Sequence, residues 1–116
     1  MTTQTYHEAA LHLLGQAESE LELGDARQAS EKGWGAATQI LKAICERRGW
    51  QHRNYKALAR AVKRLEEETA DLEIRPLFRS ANLLHVNFYE DAEEPQIVAD
   101  GLRDVRRFID KLDALP

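Results

Sequence analysis

A chain of 116 residues with 43% hydrophobic and 31% charged residues is long enough to build one core without disulfide or metal staples. It contains no apolar run of about 18 residues and no signal-peptide pattern, so neither a membrane span nor export is expected. Its formal net charge of −4 speaks against a general polyanion binder, and its single cysteine, Cys45, excludes an intrachain disulfide, cannot by itself build a metal site and fits a reducing cytoplasm.

The charge is unevenly spread. Residues 42–64 hold eight basic groups, namely Lys42, Arg47, Arg48, Arg53, Lys56, Arg60, Lys63 and Arg64, against one acid, Glu46. The flanking segments are both acidic. A basic centre in an acidic chain produces a local field of the kind that steers a phosphate chain.

The first predicted element is a helix from about Tyr6 to Leu23, after a short polar lead over residues 1–5 that is expected to fray. Tyr6, Ala10, Leu14, Ala17 and Leu21 recur at three- and four-residue steps and give it one apolar face. His7 and His12 lie off that face with a spacing that does not suit a shared metal, and read as surface residues. Gly24 stops the helix as a C′ glycine does. Asp25, with Gln28 three residues on, caps the next helix, and so short a connection implies an antiparallel hairpin.

Helix two is expected over Ala26–Arg48, with a small inner face of Ala29, Gly33, Ala36 and Ala37 followed by Ile40 and Ile44. Gly33 and Gly35 each cost about 1 kcal/mol relative to Ala inside a helix, so a close backbone approach is expected there. Helix one packing across the groove is the plain explanation and a dimer seam the sharper one. Gly49 ends the helix. The loop Trp50-Gln51-His52-Arg53-Asn54 sets an aromatic beside an imidazole and a cation. Such a loop can stack a base, although a loop tryptophan more often folds onto its own domain.

Asn54 caps a third helix, about Tyr55–Glu68. Leu58, Ala61, Val62 and Leu65 form its core stripe, and Lys56, Arg60, Lys63 and Arg64 its other face. The triple Glu66-Glu67-Glu68 opposes the helix dipole at that end, which places the end at or before Thr69. Pro76 is expected to start helix four, and an acidic loop, Glu90–Glu94, separates it from helix five, opened by Pro95. Val98, Gly101, Leu102, Val105, Phe108, Ile109 and Leu112 face inward on helix five. No alternating run of useful length appears. The expectation is a single all-α domain over 1–116, a four- to five-helix, mainly up-and-down bundle.

The stretch Arg79-Ser80-Ala81-Asn82-Leu83-Leu84-His85-Val86-Asn87-Phe88-Tyr89 carries the chemistry. On a helix, Arg79, Asn82 and His85 form a drifting polar stripe, with His85 about 9 Å along the axis from Arg79. A cation and a titratable base are near each other without touching. There is no phosphate-binding glycine loop, Cys/His metal set or serine elbow elsewhere.

An Arg followed after four to six residues by a His near the end of a late helix is the hallmark of the HEPN family, and this chain resembles it. The resemblance extends to Leu23-Gly24-Asp25, Gln28-Ala29-Ser30-Glu31-Lys32, Arg47-Arg48-Gly49-Trp50, Leu84-His85-Val86-Asn87-Phe88-Tyr89 and the final amphipathic helix. It implies an α-helical, RNA- or nucleotide-associated domain, and a metal-independent endoribonuclease of the toxin or defence type acting as a homodimer. In those terms Arg79 and His85 are the catalytic pair, Asn82 and Tyr89 their helpers, and Arg47, Arg48, Arg53, Lys56, Arg60, Lys63 and Arg64 the RNA track, with no cofactor and no metal. Active members often carry Asn, Asp or His directly after the Arg; here that residue is Ser80. Ser80 and the acidic total favour a second reading, a non-catalytic nucleotide-binding or interaction module that partners a nucleotidyltransferase-like or antitoxin protein.

Overall fold

The computed structural model describes residues 2–116; Met1 lies outside the described residues. Five α-helices follow one another: α1 (Thr3–Glu22), α2 (Ala26–Arg48), α3 (Tyr55–Thr69), α4 (Ile74–Glu90) and α5 (Pro95–Asp113). No strand occurs among the described residues. The all-α bundle expected from the periodicities is the architecture found.

Local chemistry sets most boundaries. Asp25 accepts from the Gln28 amide at 3.0 Å and Asn54 from the Ala57 amide at 2.9 Å, each satisfying an orphan donor at a helix start. Gly49 closes α2 in the left-handed region at φ 72°, where a residue without Cβ is unstrained. Two boundaries differ from the sequence expectation. Residues 3–5 are helical rather than frayed, because the Thr2 hydroxyl caps α1 by accepting from the Thr5 amide. Helix α4 starts at Ile74, two residues before Pro76; proline needs only to avoid the interior, and the third position of a first turn has no intrahelical N–H bond to lose.

Helix α2 is the central element and touches the other four. Its small residues allow this, though not as expected. Only Gly35 faces α1, where an added methyl would lie 3.3 Å from Leu13 Cδ1. Gly33 faces the opposite way. A methyl there would come within 2.5 Å of Leu102 Cδ2 and 2.9 Å of Leu84 Cδ1, and one on Gly101 of α5 within 2.7 Å of Leu84 Cδ2. Leu84 is therefore seated between two glycines, one on each neighbouring helix. The close approach at Gly33 is to α4 and α5 rather than to α1.

The core runs from Leu14 and Ala17 through Leu41 and Ile44 to Leu65, Ile74, Val105, Phe108 and Leu112, all at most 2% exposed. Trp50 packs against this core, with the Arg64 guanidinium 4.0 Å above its ring. Two of the three glutamates that end α3 are matched across elements: Glu66 pairs with Arg75 at 2.7 Å and Glu68 with Arg48 at 2.5 Å. Among the described residues no helix is long and apolar enough to cross a membrane.

Candidate functional site

The inward register of Leu77, Phe78, Ala81 and Leu84 fixes which α4 side chains face out. His85 comes to lie over α2. Its ring stacks on Trp34 at 5.0 Å and 24° between planes, and Tyr89, one turn on, meets it edge-on at 5.4 Å. Behind the ring stands Glu31, one turn before Trp34. His85 Nδ1 is 3.4 Å from Glu31 Oε1, an ion-pair distance without hydrogen-bond alignment. Nδ1 and Glu31 Oε2 are both shut off from solvent with no other partner. A carboxylate facing Nδ1 favours the proton on that nitrogen and leaves Nε2 to act. About a third of the histidine side chain remains exposed.

Arg79 lies earlier on α4. It is exposed, makes no ion pair or hydrogen bond with any described residue, and lines an open cleft with Tyr55, Lys63 and Arg75. Asn82 is half-buried and without a side-chain partner; Tyr89 is exposed. Thus His85 and Tyr89 are brought together, while Arg79 and His85 are not in contact within one chain, as their offset on a single helix requires. Ser80, the residue after Arg79, turns away and donates to Asp104 on α5 at 2.8 Å.

The basic residues divide into two sets. Arg47 donates to the Leu115 carbonyl at 2.9 Å, and Arg48 is held by Glu68 and the Pro116 carbonyl. Arg53 reaches only Gln51, at 3.1 Å. Lys56, Arg60 and Lys63 stand exposed along α3 without a side-chain partner among the described residues, and Arg64 covers Trp50. The free cations therefore line the outer face of α3 and continue onto α4 through Arg79.

Three residues for which no catalytic or binding role was expected prove central. Glu31 and Trp34 lie on α2, far from His85 in sequence, and only the α2–α4 packing joins them. Asn87 is buried at 2% exposure. Its Nδ2 donates to Ser30 Oγ at 2.9 Å, and its Oδ1 accepts from the amides of Ala92 and Glu93, each at 2.9 Å. That carboxamide ends α4, folds the following loop and ties both to α2 beside Glu31. Among the described residues no three His, Cys, Asp or Glu side chains gather in a set that would hold a metal.

A model of the archaeal PaREP1/PaREP8 family matches residues 5–109. The chain belongs to that family. No curated protein matches it. Among solved structures, this PaREP1/PaREP8 chain is similar to a protein from Sulfolobus solfataricus, with a TM-score of 0.81 and 26% identity over 90% of this chain and 93% of the other. The five-helix arrangement around α2 is thus shared at low sequence identity.

Proposed function

We propose that the protein is a HEPN-like, RNA-associated domain of the toxin or defence kind, cleaving single-stranded RNA without a metal as a cytoplasmic homodimer. The observation that carries this reading is the setting of His85: an accessible imidazole stacked on Trp34, with the Glu31 carboxylate facing Nδ1. A histidine held this way presents Nε2 outward as a base, on a helix that also bears the unpaired Arg79. In the reaction, Nε2 takes the proton of a 2′-hydroxyl. The 2′-oxygen bonds to phosphorus, the bond from phosphorus to the 5′-oxygen breaks, and that oxygen takes a proton from solvent as it leaves. Products are a 2′,3′-cyclic phosphate and a 5′-hydroxyl. Arg79 neutralises the charge that builds on the phosphoryl oxygens. Asn82 and Tyr89, on the same helix, are the helpers.

Because Arg79 and His85 of one chain do not meet, a second copy completes the site, with Arg79 of one protomer serving His85 of its partner. The outward face of α4 supports such a pairing, since Leu83 and Val86 are exposed at 52% and 46%. Lys56, Arg60 and Lys63, with Arg53, carry the strand. Arg47 and Arg48, engaged internally, and Arg64, folded over Trp50, contribute mainly field.

The test is incubation with mixed-sequence single-stranded RNA in EDTA, comparing wild type with Arg79→Ala and His85→Ala. Cleavage by the wild type alone, ending in cyclic phosphate, is the expected result; equal cleavage by all three would sink the assignment. Ser80 favours the second reading. Its hydroxyl is committed to Asp104 and offers nothing to Arg79 or His85. If no form cleaves, the fold serves as a nucleotide-binding or protein-interaction module beside a nucleotidyltransferase-like or antitoxin partner, and affinity capture with a neighbouring gene's product is the next measurement.

A further inference from the structure

Helices α3 and α4 diverge to leave an open cleft of about 390 Å³. Its floor is apolar, formed by Val62 and Phe78, both almost fully buried. One wall is the Tyr55 ring, half exposed, lying 6.0 Å from Phe78 and 6.3 Å from Trp34 and tilted 31° to each. The rim is cationic. Lys63 and Arg79 are exposed and unpaired among the described residues, and Arg75 is engaged by Glu66 at 2.7 Å. No acidic side chain lines the cleft. An aromatic wall, a dry floor and two uncommitted cations at one edge suit a planar ring that carries an anionic group.

We propose that this cleft binds one nucleotide of a single-stranded RNA, with its base on Tyr55 and its phosphate between Lys63 and Arg79. The volume falls in the range of small-molecule sites. Stacking on an aromatic face tolerates any base, and the cations supply the phosphate contact. The proposal deepens the RNA-cleaving function and, in its link to cleavage, rests on it. Because Arg79 of one protomer serves His85 of its partner, the phosphate held at this rim is the scissile one, and Tyr55 sets how tightly the strand is gripped without taking part in bond breaking.

The probe is adenosine 5′-monophosphate, titrated in EDTA against the full ¹⁵N-labelled chain. Saturable shifts at the Tyr55, Lys63 and Arg79 amides and the Trp34 indole are expected. Binding weakens about tenfold in Tyr55→Ala, consistent with the loss of one stacking contact, and is retained in Tyr55→Phe, which keeps the ring. Ribose 5-phosphate binding as tightly as the nucleotide would reduce the cleft to an anion site and overturn the proposal, as would shifts confined to other surfaces or none in the millimolar range. On RNA, Tyr55→Ala is expected to raise KM with kcat unchanged, and an unchanged KM overturns the link to cleavage. Nucleotide binding at the cleft by a chain that does not cut RNA sinks the ribonuclease and leaves the binding site standing. Cleavage without nucleotide binding does the reverse.

Discussion

At the scale of single residues, the site depends on two side chains that hold others. Glu31 faces His85 Nδ1 through Oε1 at 3.4 Å, and its other oxygen is closed to solvent. Replacing it with Gln keeps the shape and removes the negative charge beside Nδ1. The expected result is a ten- to hundredfold fall in kcat with KM and circular dichroism unchanged, in the direction seen when a histidine loses its orienting carboxylate. Loss of fold instead would make Glu31 structural. Asn87 is the other holder. Asn87→Ala strands two loop amides and removes the donor to Ser30 Oγ, and should destabilise the domain by about 2–3 kcal/mol, read as a lowered urea midpoint. Cys45 plays no such part: burial pushes its thiol up to about 11, so it stays protonated and unreactive at neutral pH.

At the scale of elements, the contrast among glycines tests how α4 is seated. Gly15 on α1 has open space around it, whereas a methyl on Gly101 would press on Leu84. Gly15→Ala should therefore stabilise by about 1 kcal/mol through helix propensity alone. Gly101→Ala gains the same term but overpacks Leu84, which typically costs about 1–3 kcal/mol, so a net loss of about 1 kcal/mol is expected from thermal melting. A gain at both positions would mean that Leu84 moves freely. The turn between α3 and α4 carries a pH dependence. Asp71 is held below the usual carboxylate range chiefly by its hydrogen bond from Lys111, and Glu73 chiefly by its hydrogen bonds from Arg107. Carboxyls lowered by folding contribute stability that is complete above their unfolded values, near pH 4, and is lost as pH falls through the folded ones. Urea midpoints should drop as the solution is acidified below about pH 4, and the drop should be shallower in Asp71→Asn. An identical acid profile in that variant would remove Asp71 from the account.

At the scale of the whole molecule, the incomplete pairing of Arg79 and His85 makes the oligomeric state decisive. Light scattering at tens of micromolar should return twice the 13.3 kDa of the chain, and Leu83→Glu on the outward face of α4 should halve it. A wild-type monomer at that concentration would count heavily against a shared cleft, and a dimer indifferent to Leu83→Glu would move the seam off α4.

Much of this was legible in the sequence, for reasons of period and punctuation. Apolar recurrence marked all five helices, and Asp25, Gly49, Asn54 and Pro95 fixed their ends because caps and left-handed turns depend on residues a few positions apart. The Arg79–His85 stripe was visible because both lie on one helix. What the sequence could not reveal is whatever joins distant segments. Gly33 announced a close approach without saying that its partners would be Leu84 and Leu102 rather than α1. No local pattern marked a chemical role for Glu31, Trp34 or Tyr55, and only the packing of α2 and α3 against α4 turned them into a carboxylate behind an imidazole and a wall beside a cleft. Likewise, the basic run of residues 42–64 read as one track, but tertiary contacts committed Arg47 and Arg48 to the chain's last carbonyls and left Lys56, Arg60 and Lys63 free. Local backbone chemistry is written in neighbouring residues; the environment of a side chain is set by which helices meet, and that was decided only when α2 took its place between the other four.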